Sequence, residues 1–281
     1  MDLSWLDDFL WTYQNVIHSV GINGLLALSM YVVLAVGQLS LGQAAFMGLG
    51  AYSAALMTLK LGWPFWMVLP LSCVVPILFA LAIGLPTLRL SGVYLAIATV
   101  GLGEVLKALY VNIDYVGGAL GLTGIPEATE TWMIYGLLAL AVLAFWLVAR
   151  SGIGRAMEAI REDETAARVM GVSCFRYQLG ALVVSAMLAG IAGALEAHST
   201  SLISPGEFGF EPEVSILSFA LLGGIGTPIG PVVGAFILTL LPELLRGMAD
   251  LRLVFNGVII VVAVLFMPEG LVALRLRRRS A

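Results

Sequence analysis

Charge is what this chain has least of. Asp, Glu, Lys and Arg make up 11% of its 281 residues and hydrophobic residues 60%, where a soluble domain carries about 25% charged residues. Mean hydropathy is +1.01. So few charges cannot cover a chain of this size in water, so lipid must be its solvent. No polar stretch is long enough to wrap its own core, which excludes a separate soluble domain. The net charge of −4 describes loops and does not point to nucleic acid. Lysine is scarcer still. A P-loop needs Gly directly before Lys and then Ser or Thr, but Lys60 follows Leu59 and Lys107 follows Leu106. The chain therefore lacks that ATP-binding motif. Cysteine is nearly absent: Cys73 lies in an apolar run and Cys174 in a charged one, which suggests neither a disulfide framework nor a metal site. His18 and His198 have no partner at metal-ligand spacing and read as interfacial packing residues. The opening residues, with Asp2, Asp7, Asp8 and no basic stretch, do not read as a cleavable signal.

What the chain does have is long apolar runs. A helix rising 1.5 Å per residue crosses about 30 Å of hydrocarbon in about 20 residues. The runs predict an all-α polytopic membrane protein, one transmembrane domain over 1–281, with crossings near 15–37, 41–59, 64–86, 92–112, 131–149, 177–197, 212–225, 229–245 and 253–270. That is about eight or nine spans. The seventh and eighth are short, and Gly223, Gly224, Gly226 and Pro228 between them cannot continue a helix. Either two helices meet there or a broken helix turns inside the membrane, in a place lined by protein or water. In 177–197, Ala186, Ala189, Gly190, Gly193 and Ala197 form a small-residue face. Such a face suits close packing, either within the bundle or against a second membrane subunit.

The exception to the apolar pattern is 150–176. It carries Arg150, Arg155, Arg161, Arg168 and Arg176, with Glu158, Glu162, Asp163 and Glu164 between them. Short loops rich in Lys and Arg face the cytoplasm, so this loop is expected inside, with Arg89 and the basic tail 275–281 (Arg275, Arg277, Arg278, Arg279). The N-terminus then falls outside, anchored by Trp5, Phe9 and Trp11, and the loops holding Asp114, Glu127, Glu130, Glu207, Glu211 and Glu213 fall outside too. Within the island, Gly154 and Gly171 bracket an amphipathic helix. Ala156, Met157, Ile160, Ala167 and Met170 share its apolar side, and Glu158–Arg161 and Glu164–Arg168 lie at pairing distance. By composition it is either a partner-binding element or a surface helix linking two spans.

The string Glu164-Thr165-Ala166-Ala167, followed by Gly171, resembles the cytoplasmic loop of ABC-importer permeases. Extended back to Gly154, it is similar to the LivM-type permeases of branched-chain (hydrophobic) amino acid transporters. The segments Gly37–Phe46, Tyr94–Thr99 with Glu104, Gly121–Pro126, Gly223–Thr227 and Met267–Leu271 resemble further blocks of that family, so the likeness spans about 15–272. Gln43 stands where the family usually shows His, Lys107 where Arg is common, and the N-terminus is shorter.

The resemblance implies a permease in a prokaryotic inner membrane. It would work with two cytoplasmic ATP-binding subunits that hold the ATP and Mg, a second related permease and an external substrate-binding protein. This chain would be no enzyme and would bind no cofactor itself. It further implies that Ala159, Arg161, Glu164, Ala166, Ala167, Arg168 and Gly171 form the contact with the ATPase.

Ionisable groups inside spans mark function by default. Glu104 and Lys107 lie three residues apart on one predicted span. They either lie on the substrate path, where a zwitterion needs both charges met, or form a structural ion pair. Gln38, Ser40 and Gln43, near the cytoplasmic end of the first two spans, either line an exit or bond between helices. An ion-driven secondary transporter is the rival reading, since short paired helices suit it. A membrane enzyme is disfavoured, because no nucleophile–base pairing is visible. Branched-chain amino acids lead as substrate, with other neutral amino acids, urea or short amides behind.

Overall fold

The computed structural model describes residues 4–90 and 92–244. The predicted crossing at 253–270, the Met267–Leu271 block and the basic tail lie outside the described residues. The helices in chain order are α1 (Ser4–Ala35), α2 (Gln43–Leu61), α3 (Phe65–Ser72), α4 (Val74–Thr87), α5 (Val93–Asn112), α6 (Thr131–Arg150), α7 (Gly152–Glu162), α8 (Glu164–Val169), α9 (Cys174–Thr200), α10 (Phe210–Gly223) and α11 (Ile229–Leu244). The single sheet among the described residues is a two-residue antiparallel ladder, β1 (Leu122–Thr123) on β2 (Leu202–Ile203). Among the described residues, six helical stretches are long and apolar enough to cross a membrane: Tyr13–Ala35, Gln43–Leu61, Phe65–Thr87, Val93–Asn112, Thr131–Arg150 and Cys174–Thr200. The chain is thus an all-α multi-pass membrane protein. α10 and α11 are shorter, about 21 and 24 Å at 1.5 Å per residue.

The third crossing differs from the single helix expected over 64–86. It breaks at Cys73, because Pro76 has no amide to give the Ser72 carbonyl. Ser53 Oγ reaches that carbonyl from α2 at 3.4 Å, so the freed acceptor is not left bare in the apolar interior.

α2 and α9 cross at the centre. Gly50 lies on the Gly190 backbone and Gly193 on the Met47 carbonyl, so closely that a Cβ at either position would strike main chain. Ala186, Ala189 and Ala197 are fully buried with them. The small-residue face of 177–197 is therefore spent inside the bundle, which settles the two readings in favour of internal packing. With no hydrophobic drive between helices in lipid, such close backbone approach supplies the dispersion energy that holds the pair.

Contacts between helix ends define two ends of the bundle. At one, Gly37 meets the Arg161 backbone. At the other, β1 pairs with β2, His18 bonds Thr131 and Ser199, and Trp66 lies 5.9 Å from Trp132 between ring centres. α10 and α11 run antiparallel between the ends, with Gly223 against Gly230 and Gly234 against the Phe219 carbonyl.

Candidate functional site

At the Arg161 end, the charged island forms two helices where one is expected between Gly154 and Gly171. The break is at Asp163, whose extended backbone (φ −153°, ψ 106°) ends α7. Its Oδ1 accepts the amides of Thr165 and Ala166 at 2.8 and 3.0 Å, capping α8. A short carboxylate competes well for free amides, which is why Asp favours caps over helix interiors. Gly171, at φ +86°, closes α8. Its amide donates to the Arg168 carbonyl, and that of Val172 to the Ala167 carbonyl, both at 3.0 Å. That pair of bonds is a Schellman stop, which a Cβ would strain.

Within this unit, Arg168 Nη2 donates to Glu164 at 2.6 Å, and the bond raises the Arg168 pKa. Gln178 on α9 also reaches Glu164, at 3.4 Å. Ile160 and Ala167 are buried against the bundle. Two expectations fail here. Arg161 turns to Glu162 at 3.6 Å rather than to Glu158. Met170 does not share the apolar side: it and Val169 are each 84% exposed, because the stop at Gly171 turns the chain before they reach the bundle. Of the predicted coupling residues, Ala159 and Arg161 belong to α7 and Glu164, Ala166, Ala167 and Arg168 to α8. A cavity of about 140 Å³ separates α7 from the glycine turn, lined by Tyr31, Gly154, Glu158, Arg161, Ile225 and Gly226. Gly223, Gly224, Gly226 and Pro228 thus lie at the island's end of the bundle, where α10 and α11 meet.

Between α1 and α2 the chain enters the bundle without helix. Gln38, Ser40 and Gln43 are all buried. The Leu41 amide donates to Thr99 Oγ1 at 2.8 Å, the Gly42 amide to Gln43 Oε1 at 3.0 Å, and Gln43 Nε2 to Ser185 at 3.4 Å. The start of α2 is completed by Glu213, whose Oε2 accepts the Ala44 amide at 2.6 Å. The sequence pattern puts Glu213 in an external loop. It sits instead inside α10 at 3% exposure, because a buried helix start offers it amides and a favourable dipole.

Glu104 and Lys107 form the ion pair the spacing predicts, at 3.7 Å. Glu104 also accepts the Phe210 amide at 2.9 Å, tying α5 to the start of α10. A cavity of about 10 Å³ lies among Leu41, Ala44, Gly103, Phe210 and Glu213, and none of the predicted path residues lines it. A larger cavity, about 520 Å³, opens between α1, α10 and α11 and is lined by Ser19, Asn23, Glu207, Glu211, Ser215 and Thr239. None of the predicted path residues lines it. Burial raises the Glu207 carboxyl above its usual range, against the lowering effect of its hydrogen bond from the Ser204 amide. His18 and His198 are both buried, His18 between Ser199 (2.7 Å) and Thr131 (2.9 Å), and His198 on Thr58 (2.9 Å).

Residues 12–264 match the family described as the branched-chain amino acid transport system permease component. The chain is 32% identical over 295 residues to the high-affinity branched-chain amino acid transport system permease protein LivM of Salmonella typhimurium, covering 92% of this chain and 68% of that one. LivM of Escherichia coli gives the same identity and coverage. The autoinducer 2 import system permease protein LsrC of Photorhabdus luminescens is 28% identical over 246 residues, 82% of this chain and 72% of that one. No solved structure matches.

Proposed function

This chain belongs to the family of branched-chain amino acid transport permease components, and from that premise we propose that it imports branched-chain or other hydrophobic, neutral amino acids by alternating access. Its power would come from two separate cytoplasmic ATPase subunits. Urea or short amides are the alternative cargo. The similarity to LivM supports the amino acids, and LsrC is a permease for a different solute. A second related permease and an external binding protein complete the assembly in a prokaryotic inner membrane. The island end then faces the cytoplasm and the β1–β2 end faces outside.

The observation that carries the coupling role is the α7–α8 unit. It grips the bundle through Ile160 and Ala167, offers Val169 and Met170 outward, and lies against Gly37, with a cavity between it and the glycine turn. A push on α8 would reach the α1–α2 junction through the Gly37 contact. Glu104 would meet the ammonium and Lys107 the carboxylate of the cargo.

The test is uptake and ATP hydrolysis by the reconstituted assembly. Glu164→Ala and Gly171→Leu should keep the assembly intact and its ATPase active while uptake falls at least about tenfold, the loss given by removing about 1.4 kcal/mol of coupling. Unchanged uptake in both variants overturns the coupling role.

A further inference from the structure

The outer surfaces of the crossing helices are not alike. Between the ends of α3, α4 and α6 the exposed side chains are apolar, Trp66, Leu78, Leu85, Trp132 and Leu140 among them, and no charged residue occurs in 65–87 or 131–149. Such surfaces suit lipid tails. α5 differs. Its exposed stripe runs through Ile97, Gly101, Glu104 and Ala108, and the Glu104 and Lys107 side chains are 45% and 36% exposed. Glu104 lies about 16 Å from the start of this 20-residue helix, at 1.5 Å per residue, which is mid-span. An ion pair open to hydrocarbon at that depth is strongly disfavoured, and intramembrane charges face protein or water instead. Glu213, by contrast, is covered by its own chain. The α5 face therefore needs a cover that the described residues do not supply.

Three features say what covers it. A Cβ at Gly101 would meet nothing within 4 Å, and Ala108, two helical turns on, lies on the same face, so another helix can approach closely. The stripe continues onto the first turns of α10 through Phe210 and Val214, both exposed, where Glu104 holds the Phe210 amide. The charges are self-complementary: an acid and a base three residues apart meet a base and an acid when a like helix is laid against them about a two-fold axis.

We propose that the α5 face, with the first turns of α10, is the seam against a second permease chain of the same fold, and that Glu104 and Lys107 face their counterparts across it. This rests on the permease reading above. The 3.7 Å contact within the chain is long, and lysine has three donors. Each charge can pass from its own partner to the one opposite, and cargo can enter between them, without either being stranded in hydrocarbon.

The test uses the whole assembly in membranes, with a photoreactive benzophenone residue at Ile97, at Val105, or at Leu140 on α6; all three positions are more than half exposed, so the probe has room. Irradiation should yield an adduct with the second permease from Ile97 and Val105 and none from Leu140, as read by mass spectrometry of the shifted band. Adducts with the second permease from Leu140 alone, or lipid and intrachain adducts alone from Ile97 and Val105, overturn the proposal. In parallel, Glu104→Lys should lower recovery of the two-permease assembly at least about tenfold, since like charges then face each other. Replacing by Glu the base of the second permease that faces position 104, in the same assembly, should restore most of it; no loss in the single variant overturns the pairing. ATP-driven uptake by the unsubstituted assembly is read separately. If it is present while the adducts come from α6, the seam is wrong and the permease reading stands; if it is absent, the permease reading itself fails.

Discussion

Glu213 on α10 accepts the amide of Ala44 at the start of α2, 169 residues away in sequence, at 2.6 Å. The bond joins the helix that runs to the glycine turn with the helix at the centre of the bundle. Removing the carboxylate leaves a buried amide without an acceptor. Glu213→Ala should lower stability by about 1–3 kcal/mol, and Glu213→Gln by less, because its amide oxygen can still accept. Thermal unfolding of the purified assembly at fixed pH checks the order; identical melting of all three forms would contradict the capping role.

Gly37 has φ +76°, and a Cβ there would meet the Arg161 Cα at 3.1 Å. Gly124 has φ +77° with nothing within 4 Å. Alanine at either position carries backbone strain of about 1–3 kcal/mol, but only Gly37→Ala also displaces α7. A larger drop in melting temperature for Gly37→Ala, with a loss of uptake that Gly124→Ala does not share, is the expected result.

Asp163 separates α7 from α8 by capping the latter. Asp163→Ala should cost that short helix about 0.5–2 kcal/mol and Asp163→Asn little. Hydrogen exchange at the amides of Thr165 and Ala166 should quicken in the alanine variant alone.

The Gly50–Gly190 crossing leaves no room for a side chain, whereas a Cβ at Gly136 on α6 meets open space. Gly50→Leu is expected to remove folded protein from the membrane fraction, and Gly136→Leu to leave its yield unchanged. Size-exclusion profiles of the two, extracted side by side, decide the matter.

Much of the fold is legible in the amino-acid order. Hydropathy places the six long crossings within a few residues, because a span must be apolar along its whole length whatever its neighbours are. Pro, Gly and the Glu164–Arg168 spacing mark local events, namely the stop at Gly171 and the α10–α11 turn, which depend on backbone chemistry within a few residues. The departures have a physical cause in common, which is that a partner or a cap overrides the local pattern. Glu213 reads as a loop acid because its partner, the start of α2, is distant in sequence. Arg161, Met170 and the break at Asp163 escape ideal helical periodicity, which cannot register a cap that ends the helix early. The large cavity beside Asn23 and Glu211 has no sequence signal, since its lining comes from helices at opposite ends of the chain.

Sequence alone determined the solvent of this protein, its helical class and its kinship, because composition and local periodicity are properties of the chain itself. Only the tertiary structure decided which small residues are spent inside the bundle and which charges its own chain covers. It also decided which pair, Glu104 with Lys107, is left exposed on one side of α5. Burial is fixed by which helices meet, and that is settled only when the whole chain has packed.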